Sequence, residues 1–270
     1  MQPGGLPKLS LPNMKNIVAV ASGKGGVGKS TVSTNLALAL AGMGFKVGLL
    51  DADIYGPSVP LMLGIQGQVD QSTTPLPLDR HGIKLMSMGF LVPPEKAVIW
   101  RGPMIHRALT QFLSDLPWGD LDYLIVDMPP GTGDAQLTLT QSVPLTAAVV
   151  VTTPQEVSLI DARKGLEMFR EVRVPVLGII ENMSYFVGDD GKRYDIFGHG
   201  GGQRLADATD VPFLGAIPID PKVVQSGDSG APMVISHPES PVAAAYRDLA
   251  GVVVKNLAQT PQEAPLPGLS

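Results

Sequence analysis

The sequence predicts an α/β fold, a three-layer sandwich in which a mostly parallel sheet of about seven or eight strands lies between layers of helices. Three observations predict it. Short runs rich in Val, Ile and Leu alternate with longer helix-like stretches, the pattern of parallel strands buried on both faces and joined by crossover helices. The apolar share of 44% over 270 residues supplies one large core, and a chain of this size buries roughly 70–75% of its unfolded surface. The 31 glycines and 25 prolines are spread along the chain as loop punctuation rather than gathered into low-complexity tracts.

Residues 1–13, with Pro3, Gly4, Gly5, Pro7 and Pro12, offer too little apolar surface to offset ordering and read as a flexible tail. One domain is expected over 14–258, and a second flexible tail over 259–270, where Pro261, Pro265, Pro267 and Gly268 fall. Strands are expected at 16–21, 46–51, 83–88, 122–127, 146–152, 175–180 and 212–217, and helices at 29–42, 102–115, 155–171, 200–208 and 241–257. Between 54 and 82 the prolines and glycines leave room only for a short helix near 57–63, so this interval reads as a long functional loop.

Composition removes several function classes. Twenty Lys+Arg against 25 Asp+Glu give a net charge of −5, so no polybasic surface for nucleic acid or anionic lipid is implied. The chain contains no cysteine, which excludes disulfides, a thiol nucleophile, a Cys-based zinc site and an iron-sulfur cluster held by its own thiolates. No two of the four histidines have the i, i+4 spacing of a helical zinc pair. No apolar run is long enough to span a membrane, and Met1 to Pro12 lacks the pattern of a signal peptide. A cytoplasmic protein is expected.

Strand 16–21 runs into Gly23-Lys24-Gly25-Gly26-Val27-Gly28-Lys29-Ser30-Thr31, and a helix follows. This is G-x-x-x-x-G-K-[ST] in its strand–loop–helix setting, the phosphate loop of a P-loop NTPase. Glycines let the backbone N–H groups close on phosphate oxygens, and the helix N-terminus adds partial positive charge. Lys29 is expected to reach the β- and γ-phosphates of ATP, and the Ser30 hydroxyl to ligand Mg²⁺. The second lysine, Lys24, makes the segment resemble the deviant Walker A ATPases, with the fingerprint K-G-G-V-G-K-[ST]. That resemblance implies a nucleotide-bridged homodimer in which Lys24 contacts phosphates across the interface.

Two further strand ends carry carboxylates. Strand 46–51 ends in Asp51-Ala52-Asp53-Ile54-Tyr55-Gly56-Pro57-Ser58, at the sheet edge where open α/β proteins bind ligands. By resemblance to the family's first switch, Asp53 orients the attacking water and Asp51 serves magnesium. The apolar strand ending at Asp127 leads into Met128-Pro129-Pro130-Gly131-Thr132-Gly133-Asp134, a Walker B carboxylate followed by a mobile loop. Asp127 is expected to bind Mg²⁺ through water and Ser30, the Gly131 and Gly133 backbone to sense the γ-phosphate, and Asp134 to cap the next helix. Asn182, after strand 175–180, has both donor and acceptor for an adenine edge. The family places an asparagine there against the base, and Pro218 in Ile217-Pro218-Ile219-Asp220 resembles its second adenine wall.

Together DADIYGPS, DMPPGTGD, the ENMSYF of 181–186 and the IFGHGGG of 196–202 resemble the Mrp/ApbC iron-sulfur carrier branch over about residues 14–257. The resemblance implies ATP hydrolysis coupled to carriage of a [4Fe-4S] cluster held by a C-x-x-C pair from each protomer, and iron-sulfur apoproteins as clients. Where that pair follows ENMSYF in most members, this chain has Val187-Gly188-Asp189-Asp190-Gly191-Lys192, read as a hairpin turn. Hard carboxylates are poor substitutes for thiolates, so no residue here is assigned to the cluster. His199, between glycines, reads as a loop or helix-start residue, and Arg101 in Trp100-Arg101-Gly102-Pro103 as a surface arginine by default, with a partner or dimer contact as the alternative. Two other readings share the phosphate loop: a nucleotide-gated interaction switch without metal cargo, and a MinD- or ParA-like positioning ATPase. The absence of Lys or Arg in 260–270 argues against the basic membrane helix of the MinD type.

Overall fold

The computed structural model describes residues 9–65, 76–91 and 102–260. Arg101 therefore lies outside the described residues, as do 66–75 of the long loop. In chain order the elements are β1 (Met14–Ser22), α1 (Lys29–Gly42), β2 (Val47–Asp51), α2 (Val59–Met62), β3 (Leu78–Arg80), β4 (Ile83–Ser87), α3 (Gly102–Ser114), β5 (Leu121–Asp127), α4 (Asp134–Ser142), β6 (Ala147–Thr152), α5 (Glu156–Glu171), β7 (Val176–Glu181), β8 (Phe186–Val187), β9 (Arg193–Tyr194), α6 (Gly201–Thr209), β10 (Phe213–Ala216), α7 (Pro221–Asp228), α8 (Met233–Ser236) and α9 (Pro241–Gln259).

The main sheet has eight strands in the order β10-β7-β6-β1-β5-β2-β4-β3. All pairings are parallel except β3 with β4. The seven expected strands are present; β3, inside the segment read as a loop, is the addition, and an antiparallel edge strand three residues long leaves little periodic signal. Val18, Ala19, Val20, Leu124, Ile125, Val126, Val149 and Val150 show no solvent exposure in consecutive positions, because helices cover both faces of a parallel sheet.

Helix α1 is buried from Val32 to Leu40, since it packs on β1, β2 and β5 beneath and against α2, α8 and α9 around it. Its run of small and aliphatic residues suits such a helix, which has no solvent face to reserve for charge. Helices α3 and α4 pack together, as do α5 and α6. Within the segment expected as an N-terminal tail, Leu9 and Leu11 rest partly buried on the core. Helices α7 and α8 are additions to the expected set, although Asp220 followed by Pro221 is a helix start: the Asp220 side chain accepts from Lys222 N at 2.8 Å with proline in the first turn.

Candidate functional site

The strand that feeds the phosphate loop, β1, is bonded on one side to β5 and on the other to β6. The loop that leaves it is shaped by backbone conformations that suit glycine: φ is +83° at Gly26 and +80° at Gly28. Gly23 is required for space, because a Cβ there would sit 2.1 Å from the backbone of Asp161 in α5. The Ser22 hydroxyl donates to the Lys24 carbonyl at 2.9 Å, and Gly131 N donates to the Ser22 carbonyl at 3.0 Å. The segment after β5 is thus fastened to the loop through Gly131, the glycine expected to sense phosphate. Helix α1 opens at Lys29, so its unpaired first-turn N–H groups face the loop. Gly25 and Gly26 are exposed, and Lys24 is half-buried beside them.

Asp51 and Asp127 are register partners at the ends of adjacent parallel strands. Asp127 is fully buried, and its carboxylate is held from several directions. Oδ2 accepts from the Ser30 hydroxyl at 2.6 Å, and Oδ1 from the Ser33 hydroxyl at 2.6 Å and from Lys29 Nζ at 2.8 Å. Ser33 also lies 3.0 Å from the Lys29 carbonyl; a hydroxyl has one proton, and the shorter, charge-assisted bond takes it. Asp51 sits behind, with no exposure, accepting from Ser87 Oγ at 3.0 Å and Asp53 N at 3.2 Å. Burial first, and then neighbouring Asp127, push its carboxyl up to about 8.

Asp53 turns its Oδ2 toward Lys29 Nζ, 4.0 Å away, and accepts from the N–H groups of Tyr55 and Gly56 at Oδ1, both at 3.3 Å. Burial raises its pKa, opposed by Lys29 and reinforced by Asp127. Three carboxyls around one buried lysine make a pocket suited to added positive charge. The Ser30 hydroxyl donates to Asp127 and accepts from Lys29 Nζ at 3.2 Å, which leaves one lone pair for a hard cation. Among the described residues no three His, Cys, Asp or Glu side chains are grouped to hold a metal on their own. A magnesium ion here therefore depends on Ser30, water and phosphate oxygens as well as carboxylates, and the donor set fits that demand.

Beside Gly28 and Thr31 opens a cavity of ≈ 500 Å³, lined among others by Asn182, Met183, Ile217, Pro218 and Asp220. The two residues expected against a base therefore share one wall. Asn182 also braces the phosphate loop, since its Nδ2 donates to the Val27 carbonyl at 2.8 Å, and a Cβ on Gly28 would fall 2.2 Å from that nitrogen. One N–H and the Oδ1 acceptor remain unspent among the described residues. The loop that carries Asn182 is fixed from below by Glu181, which accepts from Ser184 Oγ and from Gly202 N, each at 2.5 Å.

The Asp189–Gly191 turn closes the β8–β9 hairpin, with φ +74° at Gly191. Arg193 stacks 4.2 Å over the Tyr185 ring, and exposed His199 pairs with Asp195 immediately before the glycine that caps α6. The expected cap of α4 moves by one residue: Gly133 is the N-cap and exposed Asp134 stands in the first turn, where its charge favours the helix dipole. Ser33, Ser87 and Glu181 are site residues that sequence reasoning missed. Only Ser33 carries a visible signal, since three residues after Ser30 on one helix it must share that face.

A ParA family model, described as the NUBPL iron-transfer P-loop NTPase, matches residues 13–254. Iron-sulfur cluster carrier proteins of Aquifex aeolicus and of Synechocystis sp. are 55% and 56% identical to the chain, covering 90% and 89% of it and 68% and 70% of their own length. Among solved structures, the nucleotide-binding protein of Archaeoglobus fulgidus in complex with ADP shares 41% identity at a TM-score of 0.70, over 82% of this chain and 88% of that one. The Pyrococcus furiosus cell division ATPase MinD, at 23% identity and a TM-score of 0.68 over 90% and 99% of the two chains, shares the fold.

Proposed function

The chain belongs to the ParA-type family of NUBPL iron-transfer P-loop NTPases, and on that premise we propose that it binds and hydrolyses Mg·ATP to drive a step of iron-sulfur cluster carriage. The observation that carries this reading is the junction of Lys29, Ser30 and Asp127, in which one buried lysine, one hydroxyl and one carboxylate meet within 3.2 Å of one another under the phosphate loop.

Each side chain has work in that reaction. The glycines of the loop, Gly23, Gly25, Gly26 and Gly28, with Val27 and Thr31, bring backbone N–H groups to the phosphates. Lys29 exchanges its bond to Asp127 for the β- and γ-phosphate oxygens. When bound, Mg²⁺ would supply positive charge against the charge that develops on the phosphate oxygens. Ser30, through a lone pair, and Asp127, through water, are the residues that would hold it, with Asp127 orienting the Ser30 hydroxyl by accepting its hydrogen bond. Asp51 acts one layer back, through its place beside Asp127. Asp53 holds the attacking water, a role that needs positioning more than basicity. Lys24 reaches phosphate across a nucleotide-bridged homodimer, while Asn182 and Pro218 hold adenine.

The cluster itself is cargo, and this chain does not fit it: the 270 residues hold no cysteine, and the hairpin turn offers Asp189 and Asp190. Any thiolates that hold it come from outside these residues, from an apoprotein client or another carrier. The same observation favours, as a second reading, a nucleotide-gated interaction switch without metal cargo. Two experiments test the proposal. Phosphate release from Mg·ATP by the purified chain is expected, and its absence in the presence of candidate clients refutes the hydrolase reading. Anaerobic incubation with iron and sulfide is expected to leave no stable visible absorption on the chain alone; a stable cluster spectrum refutes the reading that outside thiolates are required.

A further inference from the structure

The cavity beside the phosphate loop has a second wall that base recognition alone does not use. Besides Asn182 and Pro218 it is lined by Leu61 and Met62 of α2, the short helix that follows Asp53 in the chain. Met62 is wedged between two elements: its Sδ lies 3.9 Å from the Thr34 hydroxyl of α1, and its Cγ lies 3.9 Å from the point a Cβ on Gly227 of α7 would occupy. Leu61 is 49% exposed and Tyr55 69% exposed, large apolar surfaces on the segment that also carries Asp53.

The far end of this segment is clamped. Gly64 and Gly230 meet backbone to backbone, both with positive φ, and a Cβ on Gly230 would lie 2.2 Å from the Gly64 Cα. Gly230 follows α7, whose N-cap Asp220 stands two residues after Pro218. The base wall, α7, the glycine contact and α2 therefore form one connected path along the cavity, and Asp53, outside the lining itself, stands on the same chain segment as α2. At the near end, among the described residues, the Asp53 backbone N–H is held by Asp51 at 3.2 Å, while its carboxylate is met by the N–H groups of its own turn at Tyr55 and Gly56 and by Lys29 at 4.0 Å, the looser contacts through which its position can respond.

We infer that the nucleoside end of the substrate sets the position of Asp53, by packing against Met62 and Leu61 and so fixing the segment 53–64; Met62 is thus a positioning residue for hydrolysis. The inference rests on the nucleotide reading above and deepens it: adenine is a device for ordering the water-holding carboxylate as well as an affinity handle. Phosphates alone bring no nucleoside to pack on Met62 and Leu61.

Hydrogen exchange of residues 53–64 tests it without turnover. At saturation with Mg²⁺ present, ADP is expected to slow exchange in this segment about tenfold more than pyrophosphate does. Met62→Ala is expected to abolish the difference while ADP still binds, and Met62→Leu, which restores the volume, to recover it. Equal protection by ADP and pyrophosphate in the unmodified chain overturns the inference, as does a difference that survives Met62→Ala. Phosphate release from ATP is measured alongside, so that loss of the hydrolysis reading with ADP-specific protection intact is told apart from loss of the coupling. No binding of ADP at all overturns both.

Discussion

Replacing Ser33 by alanine removes one hydroxyl from the first turns of α1 and leaves every residue that would touch nucleotide in place. The Ser33 side chain is fully buried and donates a 2.6 Å bond to Asp127 Oδ1, which is itself without exposure. A hydrogen bond to a charged acceptor contributes about 1.5–3 kcal/mol, and the volume lost is one oxygen atom, so no cavity term of consequence is added. Urea unfolding of the nucleotide-free chain is expected to show a loss of about 1.5–3 kcal/mol at unchanged m-value, or roughly 3–12 °C in Tm for a domain of this size. Because Lys29 remains on the same oxygen at 2.8 Å, the variant should still fold and still bind ADP. A loss under about 0.5 kcal/mol would refute the claim that Ser33 braces the carboxylate, since surface-like substitutions fall in that range.

Three other outcomes are expected. Lys29→Ala removes nucleotide binding or turnover, whereas Lys24→Ala keeps binding and loses turnover that depends on dimer formation; unchanged phosphate release in both variants would contradict the assignment. Asp53→Ala lowers kcat more than it weakens ATP affinity, because a water-positioning group acts mainly in the transition state, and equal losses in both would count against that role. Asp51 gives a pH dependence of known sign. With its carboxyl held up to about 8 when folded against an unfolded value of 3.8, the folded chain binds the extra proton between those values. That contribution is full below the unfolded value and is lost as pH rises through about 8. Tm of the metal-free protein should fall across this window, and Asp51→Asn should flatten the fall; an unaltered slope would dismiss Asp51 as its source.

How legible the molecule is in its sequence depends on the range of each interaction. The phosphate loop is local: glycines at 23, 25, 26 and 28 and the Lys29–Ser30 pair declare themselves in eight residues, between a strand and a helix the pattern also gives. The buried stretches 17–21 of β1, 123–126 of β5 and 147–151 of β6 stand out as unbroken apolar runs for the same reason. Asn182 is visible as a strand-end amide, but its bond to Val27 joins residues 155 positions apart, and no local signal encodes that. The Asp51–Asp127 pairing requires the strand order, which the sequence leaves open. Segment 54–82 is legible only in part: the short helix expected near 57–63 is α2, but proline and glycine mark turns without saying what lies between them, and β3 and the contact of Gly64 with Gly230 lie there.

The position of β1 inside the sheet governs how the binding loop can fail. A loop hung from an edge strand can fray while the rest of a protein persists, but here the suspension is laced on both sides and Val18 to Val20 are wholly shielded from water. Melting the grip on phosphate means melting the centre of the molecule. Nucleotide at a hundred times its dissociation constant consequently protects the domain by about 2.7 kcal/mol, and cleavage within the buried strands of the main sheet becomes a gauge of occupancy.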